Sequence, residues 1–160
     1  MQDLVPPETL DGAAYERTRV RQFTVFLENK VGRLQSLVRS LERGVGKIVA
    51  LSIEESADAA LVRLIPAHPE FGRELLRTAG FAFTETELLA VEIPKRNKQP
   101  LVAICSVLLA AEINIHYAYP LLQGPKGPAM ALYTDDPTLA ARLLIKRGLN
   151  LIGESDLQKW

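Results

Sequence analysis

The sequence repeats itself. Shifted by 68 positions and laid over itself without a gap, it matches Asn29 with Asn97, Lys30 with Lys98, Leu41 with Leu109, Ala50 with Ala118 and Leu64 with Leu132. The same shift pairs Pro69 with Pro137, Leu75 with Leu143, Leu76 with Leu144 and Gly80 with Gly148. Similar residues fill further places, such as Leu34 and Val102, Val45 and Ile113, Phe71 and Leu139, Phe81 and Leu149. Leucine matches come cheaply in a chain that is 48% hydrophobic. The Pro and Gly matches that bracket the Leu-Leu pair do not, because each marks a local backbone event. A duplication is the most economical explanation. It divides the chain into an N-terminal tail, 1–21, and two like units, 22–86 and 87–160.

Each unit reads the same way. Phe23 to Glu28 is an apolar run that predicts a strand. Leu34, Leu37, Val38 and Leu41 then form one helical stripe, stopped by Gly44 and Gly46. Lys47 to Glu55 alternates with period two, and a short turn at Ser56–Asp58 leads into a second strand, Ala60 to Ile65. Pro69 suits the first turn of a helix with the stripe Phe71, Leu75, Ala79, closed by Gly80. Phe81 to Ile93 is long enough for the last strand of one unit and the first of the next, joined by a tight turn.

The second unit follows with a helix at Leu101–Ala111, a strand at Ile113–Leu121, a turn at Gln123–Pro128 and a strand at Ala129–Thr134. Asp136 and Pro137 open a helix over Leu139–Arg147 that Gly148 ends. Strand–helix–strand–strand–helix–strand, twice, predicts an α+β chain of two ferredoxin-like βαββαβ units, with antiparallel sheets and the helices on one face. Val49, Leu51 and Ile53 oppose Ile48 and Ala50, so both faces of that strand are apolar. The helices cover only one; the other must be buried against the sister unit or a second chain, and a homodimer is expected.

Composition removes several function classes. Nineteen basic residues balance 19 acidic ones, so the chain lacks the basic excess of a nucleic-acid binder. The third strand of each unit holds a single aromatic, Tyr133, too few to stack bases. Cys105 is the one cysteine, which excludes an intrachain disulfide and paired-thiol metal sites. The start has no apolar signal-peptide core, and the run Leu101–Ala111 is too short to span a bilayer, so a cytoplasmic protein is expected, with no membrane partner. His68 beside Pro69 fits a capping or surface role, and His116 beside Tyr117 a structural one. The pair Glu54–Glu55 fits solvated charge at a strand end. No nucleophile, base and orienting group converge, so no enzyme is expected, and no cofactor or metal.

One loop carries a physical argument for a ligand: Glu28-Asn29-Lys30-Val31-Gly32-Arg33-Leu34. Gly32 permits close backbone approach, and the helix that follows offers free N–H groups and a positive dipole end to a carboxylate. Asn29 can donate and accept. Equally, Asn29 and Gly32 can simply shape the turn. In its place after the first strand, this loop resembles the signature of the ACT domain, Asn/Asp-x-Pro-Gly-x-Leu. Asn29, Gly32 and Leu34 match, and Val31 stands where the family has Pro. In the second unit Asn97 matches and Val102 takes the Leu place, but Gln99 and Pro100 replace Pro-Gly.

The resemblance covers about Gln22 to Leu157 and is closest to stand-alone tandem ACT proteins. It implies a regulatory protein that binds a small molecule, an amino acid, at an interface between ACT units. Asn29, Val31, Gly32, Arg33 and Leu34 would hold the polar end, with Asn97 as the counterpart in the second unit. Tyr117 and Tyr119 would line a pocket where the loop faces a neighbouring strand, or else serve as interface filler. The alternative is a regulatory subunit that docks onto an amino-acid biosynthetic enzyme, with ligand binding secondary. A scaffold without ligand is the third reading.

Overall fold

The computed structural model describes residues 17–28, 30–44 and 47–159. Its elements run β1 (Arg19–Glu28), α1 (Arg33–Gly44), β2 (Ile48–Glu55), β3 (Ala59–Pro66), α2 (Pro69–Thr78) and β4 (Ala82–Glu92). They continue α3 (Pro100–Ala110), β5 (Ile115–Pro120), β6 (Ala129–Thr134), α4 (Pro137–Lys146), β7 (Leu151–Ile152) and α5 (Glu154–Gln158). The order βαββαβ appears twice, with β4 counted in both copies. The paired Pro and Gly residues do the same work in each. Pro69 and Pro137 sit in the first turn of α2 and α4. Gly80 and Gly148 take φ +78° and +80°. There the next N–H reaches back to Leu76 O and Leu144 O, at 3.0 Å each, the six-to-one bond of a helix closed by a left-handed residue.

All strands join one antiparallel sheet in the order β2-β3-β1-β4-β6-β5, with β7 also on β4. The tight turn expected within 81–93 is absent. β4 runs straight through, pairing with β1 from Ala82 to Leu89 and with β6 from Leu89 to Glu92. One strand therefore ends the first unit and begins the second, and the boundary expected at 86/87 falls inside it. The outer edges of the sheet also meet. Ala50 bridges Leu121, and Leu122 N–H donates to Val49 O at 2.8 Å. The sheet thus closes on itself, which leaves few unpaired edge groups.

Closure explains the two-faced strands. The outer face of β1, β2 and β3 packs Phe23, Val25, Leu27, Val62 and Leu64 against Leu37, Leu41 and Leu76 of α1 and α2. The corresponding face of the second unit packs Leu89, Val91 and Leu132 against Ile104, Leu108 and Leu144 of α3 and α4. The inner faces meet each other, with Val20, Ala50, Ile65 and Leu88 of the first unit against Tyr119, Leu121, Ala131 and Ile152 of the second. A bulge between Ile48 and Ala50 turns Val49 inward as well. The stripe expected on α2 is displaced by one residue. Gly72 and Leu76 are buried, while Phe71 is 54% exposed. A Cβ on Gly72 would come 2.9 Å from Pro66 Cγ, so α2 approaches β3 through its glycine and not through the larger ring. Among the described residues, no helix is long and apolar enough to cross a membrane, and no group of three or more His, Cys, Asp or Glu could hold a metal ion.

Candidate ligand-binding site

Residues 30–34 form a turn that feeds α1. Lys30 N–H donates to Glu28 O (2.7 Å), Arg33 N–H to Lys30 O (3.2 Å) and Ser36 N–H to Gly32 O (2.9 Å). These bonds require Gly32 at φ +84°, a left-handed conformation, and a Cβ there would meet nothing within 4 Å. The glycine is needed for its backbone angle, and the space above it is open. With Arg33 and Ser36 satisfied, the first-turn N–H groups of Leu34 and Gln35 are the ones without an intrahelical partner. The charge around them is positive. Lys30 Nζ lies 2.6 Å from Glu28 and holds that carboxyl below its usual range, while Arg33 stacks its guanidinium 5.3 Å from the Phe81 ring centre. The helix dipole adds to the same sign. Val31 is fully exposed, and Leu34 is 36% exposed. Asn29 lies outside the described residues.

Asn97 is at the other end of the sheet. β1 and β4 are antiparallel, with Phe26 opposite Ala82, so the loop after β1 lies near the start of β4, whereas Asn97 follows its end. Its side-chain oxygen accepts from Gln99 N–H at 2.9 Å, an Asx turn that sets up Pro100 as the first residue of α3. The polar group that a ligand would use is thus engaged in shaping the turn.

Tyr117 and Tyr119 meet the first unit, although not at residues 30–34. Tyr119 OH donates to Gln22 Oε1 at 2.6 Å. Gln22 Nε2 donates to Tyr117 OH at 2.8 Å and to Thr24 Oγ1 at 3.2 Å. The Arg63 guanidinium lies 4.3 Å over the Tyr117 ring and pairs with Glu54 at 2.8 Å. Gln22 is fully buried, and an unpaired buried amide would cost several kcal/mol, so the two tyrosines satisfy it at the seam between units. The sequence by itself does not single out Gln22 or Arg63. Their signal is positional, since Val20, Gln22 and Thr24 share one strand face, but the tyrosine partners of Gln22 are about a hundred residues away in sequence. A second seam contact is equally silent in the sequence: Arg21 bonds Glu154 of α5 at 2.8 Å and Glu70 at 2.6 Å.

Burial raises the Tyr119 hydroxyl well above the ordinary tyrosine range, with the neighbouring Tyr117 adding to the shift and Arg63 opposing it. Above about pH 10 an unfolded tyrosine ionises while the folded one keeps its proton. The folded state then holds more protons, and stability falls as pH rises through that range; below it the group contributes no pH dependence. Urea midpoints measured from pH 8 to pH 11 should therefore fall less steeply for Tyr119→Phe than for the parent chain. Parallel curves would refute the assignment.

The family model described as an ACT domain pair matches residues 18–160. No curated protein matches the sequence. Among solved structures, the chain is similar to protein BT0572 from Bacteroides thetaiotaomicron, with TM-score 0.80 and 26% identity over 89% of this chain and 98% of that one. It shares its fold with the regulatory subunit of aspartate kinase from Thermus thermophilus in the ligand-free form, at TM-score 0.51 and 9% identity over 81% of this chain and 92% of that one. The aspartokinase alpha and beta subunits give TM-score 0.53 and 13% identity over the same shares, 81% and 92%.

Proposed function

Because the chain belongs to the ACT domain pair family, we propose that it is a regulatory module that binds an amino acid at residues 30–34, in a site that a second copy of the chain completes. The observation that carries this reading is the turn at Gly32. It holds a left-handed backbone, open space and, next in sequence to Arg33, first-turn N–H groups of α1 that have no intrahelical partner among the described residues, the chemistry a carboxylate needs. The strand with Tyr117 and Tyr119 is occupied with Gln22 and Arg63, which supports a reading in which a second copy supplies the strand that faces the loop. Fully exposed Val31 supports such a cover. Binding would act by favouring one association state over another.

Hydrogen exchange tests this. With the twenty amino acids supplied together at millimolar concentration, amides 32–36 should exchange more slowly. Protection confined to other regions would sink the reading.

A second reading, a subunit that docks onto a biosynthetic enzyme, draws on α3. That helix carries no charged residue, and Leu101, Val102 and Leu109 are 53%, 56% and 77% exposed. One fold neighbour, the regulatory subunit of aspartate kinase from Thermus thermophilus, fits that reading. Sedimentation of the pure protein separates the two. A dimer favours pairing with a second copy, and a monomer at micromolar concentration favours a different partner.

A further inference from the structure

The charges around α3 oppose its own dipole. A helix N-terminus favours acidic groups and a C-terminus basic ones. α3 has no acidic residue in its first turn and no basic residue in its last. Instead Arg96 and Lys98 precede it and Glu112 follows it, with Asp135 nearby, whose Oδ1 accepts from Asn114 N–H at 3.2 Å. Among the described residues, Lys98 and Glu112 have no ion-pair partner.

Glu112 is also strained. Ile113 N–H reaches back to Leu108 O at 3.0 Å, the same closure that Phe81 and Leu149 make after α2 and α4. There the left-handed residue is Gly80 or Gly148; here it is Glu112, at φ +56°, the one residue other than glycine with positive φ among those described. The chain thus keeps an acidic side chain at a backbone angle that suits glycine, beside a dipole end of the same sign. Nothing within the chain offsets either cost.

Between its charged ends α3 is apolar on both sides. Ile104 and Leu108 pack into the core of the second unit. Val102, Cys105, Ser106 and Leu109 fall at i, i+3, i+4 and i+7 on the opposite face, all exposed. Such a strip, basic at one end and acidic at the other, is complementary to itself turned end for end. A two-fold axis between Cys105 and Ser106 sets Val102 against the partner's Leu109 and Lys98 beside the partner's Glu112, with the two dipoles antiparallel. The small side chains at the axis let the helices approach closely.

We propose that α3 pairs antiparallel with α3 of a second copy of the chain. An unrelated apolar surface would cover the middle of the helix and leave its ends unanswered, whereas a copy answers both with residues it already has. α1 and α3 lie on opposite outer layers, so this interface is separate from the cover proposed for residues 30–34 and does not depend on it.

Sedimentation of the full chain, without added amino acid, reads the pairing, and Cys105, its one thiol, reads the register. The parent should dimerise at micromolar concentration, and a short bismaleimide should join two copies through Cys105. Leu109 is 77% exposed, so Leu109→Lys should keep the fold, checked by its urea midpoint, and weaken the dimer about a hundredfold or more by placing two ammonium groups against apolar surface. Glu112→Lys and Lys98→Glu should each weaken it about tenfold, and the two together should restore it, since the pair is then reversed in both copies. A parent that stays monomeric at high micromolar concentration would overturn the proposal and leave α3 to a different partner. A dimer unchanged by Leu109→Lys, which pairs elsewhere, would overturn it too, as would a double reversal no tighter than the single ones.

Discussion

Gly32→Val is expected to weaken the amino-acid binding proposed for residues 30–34 about tenfold or more while the fold persists. The structure makes the mechanism specific. Nothing lies within 4 Å of the added Cβ, so the substitution causes no clash. The cost is the backbone, because φ +84° is a poor conformation for any residue with a Cβ and worst for a β-branched one. Holding valine there costs about 1–3 kcal/mol. The loop escapes that cost by rotating Gly32's position to negative φ, which breaks the bonds from Arg33 to Lys30 and from Ser36 to Gly32 and re-aims the first-turn amides of α1. A ligand must then restore the strained turn, which lowers its affinity about tenfold to a hundredfold or more. Gly32→Asn is the informative control, since asparagine tolerates the left-handed region and should retain most binding. If valine binds as glycine does, the site is elsewhere.

Gln22→Ala should cost about 2–4 kcal/mol, the sum of a buried tyrosine hydroxyl left without its acceptor and the space vacated by a fully buried side chain. For a domain stable by about 5–15 kcal/mol this is a large fraction, readable as a shift in the urea midpoint. Gln22→Leu should cost less, because it fills the space and loses only the polar partners. Combined with Tyr119→Phe, Gln22→Ala should lose less than the sum of the two single changes, since either one alone already breaks the 2.6 Å bond. A change within about 0.5 kcal/mol for Gln22→Ala would mean that the seam is wet or mobile and that these bonds do not join the units.

Gly32 and Gln22 also mark the limit of what the amino-acid sequence discloses. Gly32 is legible because its requirement is local: a glycine after a strand, before an amphipathic helix, in a repeated pattern. Pro69, Pro137, Gly80 and Gly148 are legible for the same reason, and each sits at a helix terminus. Gln22 is not, because its role depends on tyrosines 95 and 97 residues away. The closure of the sheet through Ala50 and Leu121 is hidden likewise, as a long-range pairing has no periodicity of its own. The turn expected in 81–93 does not form, since a strand can serve two units without bending; Leu88 faces the inner core and Leu89 the helices of the second unit. On α2 the apolar pattern favours Phe71 over Gly72, yet the close approach to Pro66 selects the glycine. At the candidate site, the turn is legible and the seam is not. Tyr117 and Tyr119 do lie between the two units, but the residue they meet there is Gln22, which no local pattern marks.

The most direct test of the central claim is a thermal-shift panel of the twenty amino acids, run on the parent chain and on Gly32→Val side by side. A ligand at a hundred times its dissociation constant adds about 2.7 kcal/mol to the folded state, an easily read rise in midpoint. The account predicts at least one amino acid that raises the parent midpoint and raises that of Gly32→Val by about half as much or less. A flat panel, or shifts that are the same in both proteins for every amino acid, would contradict it.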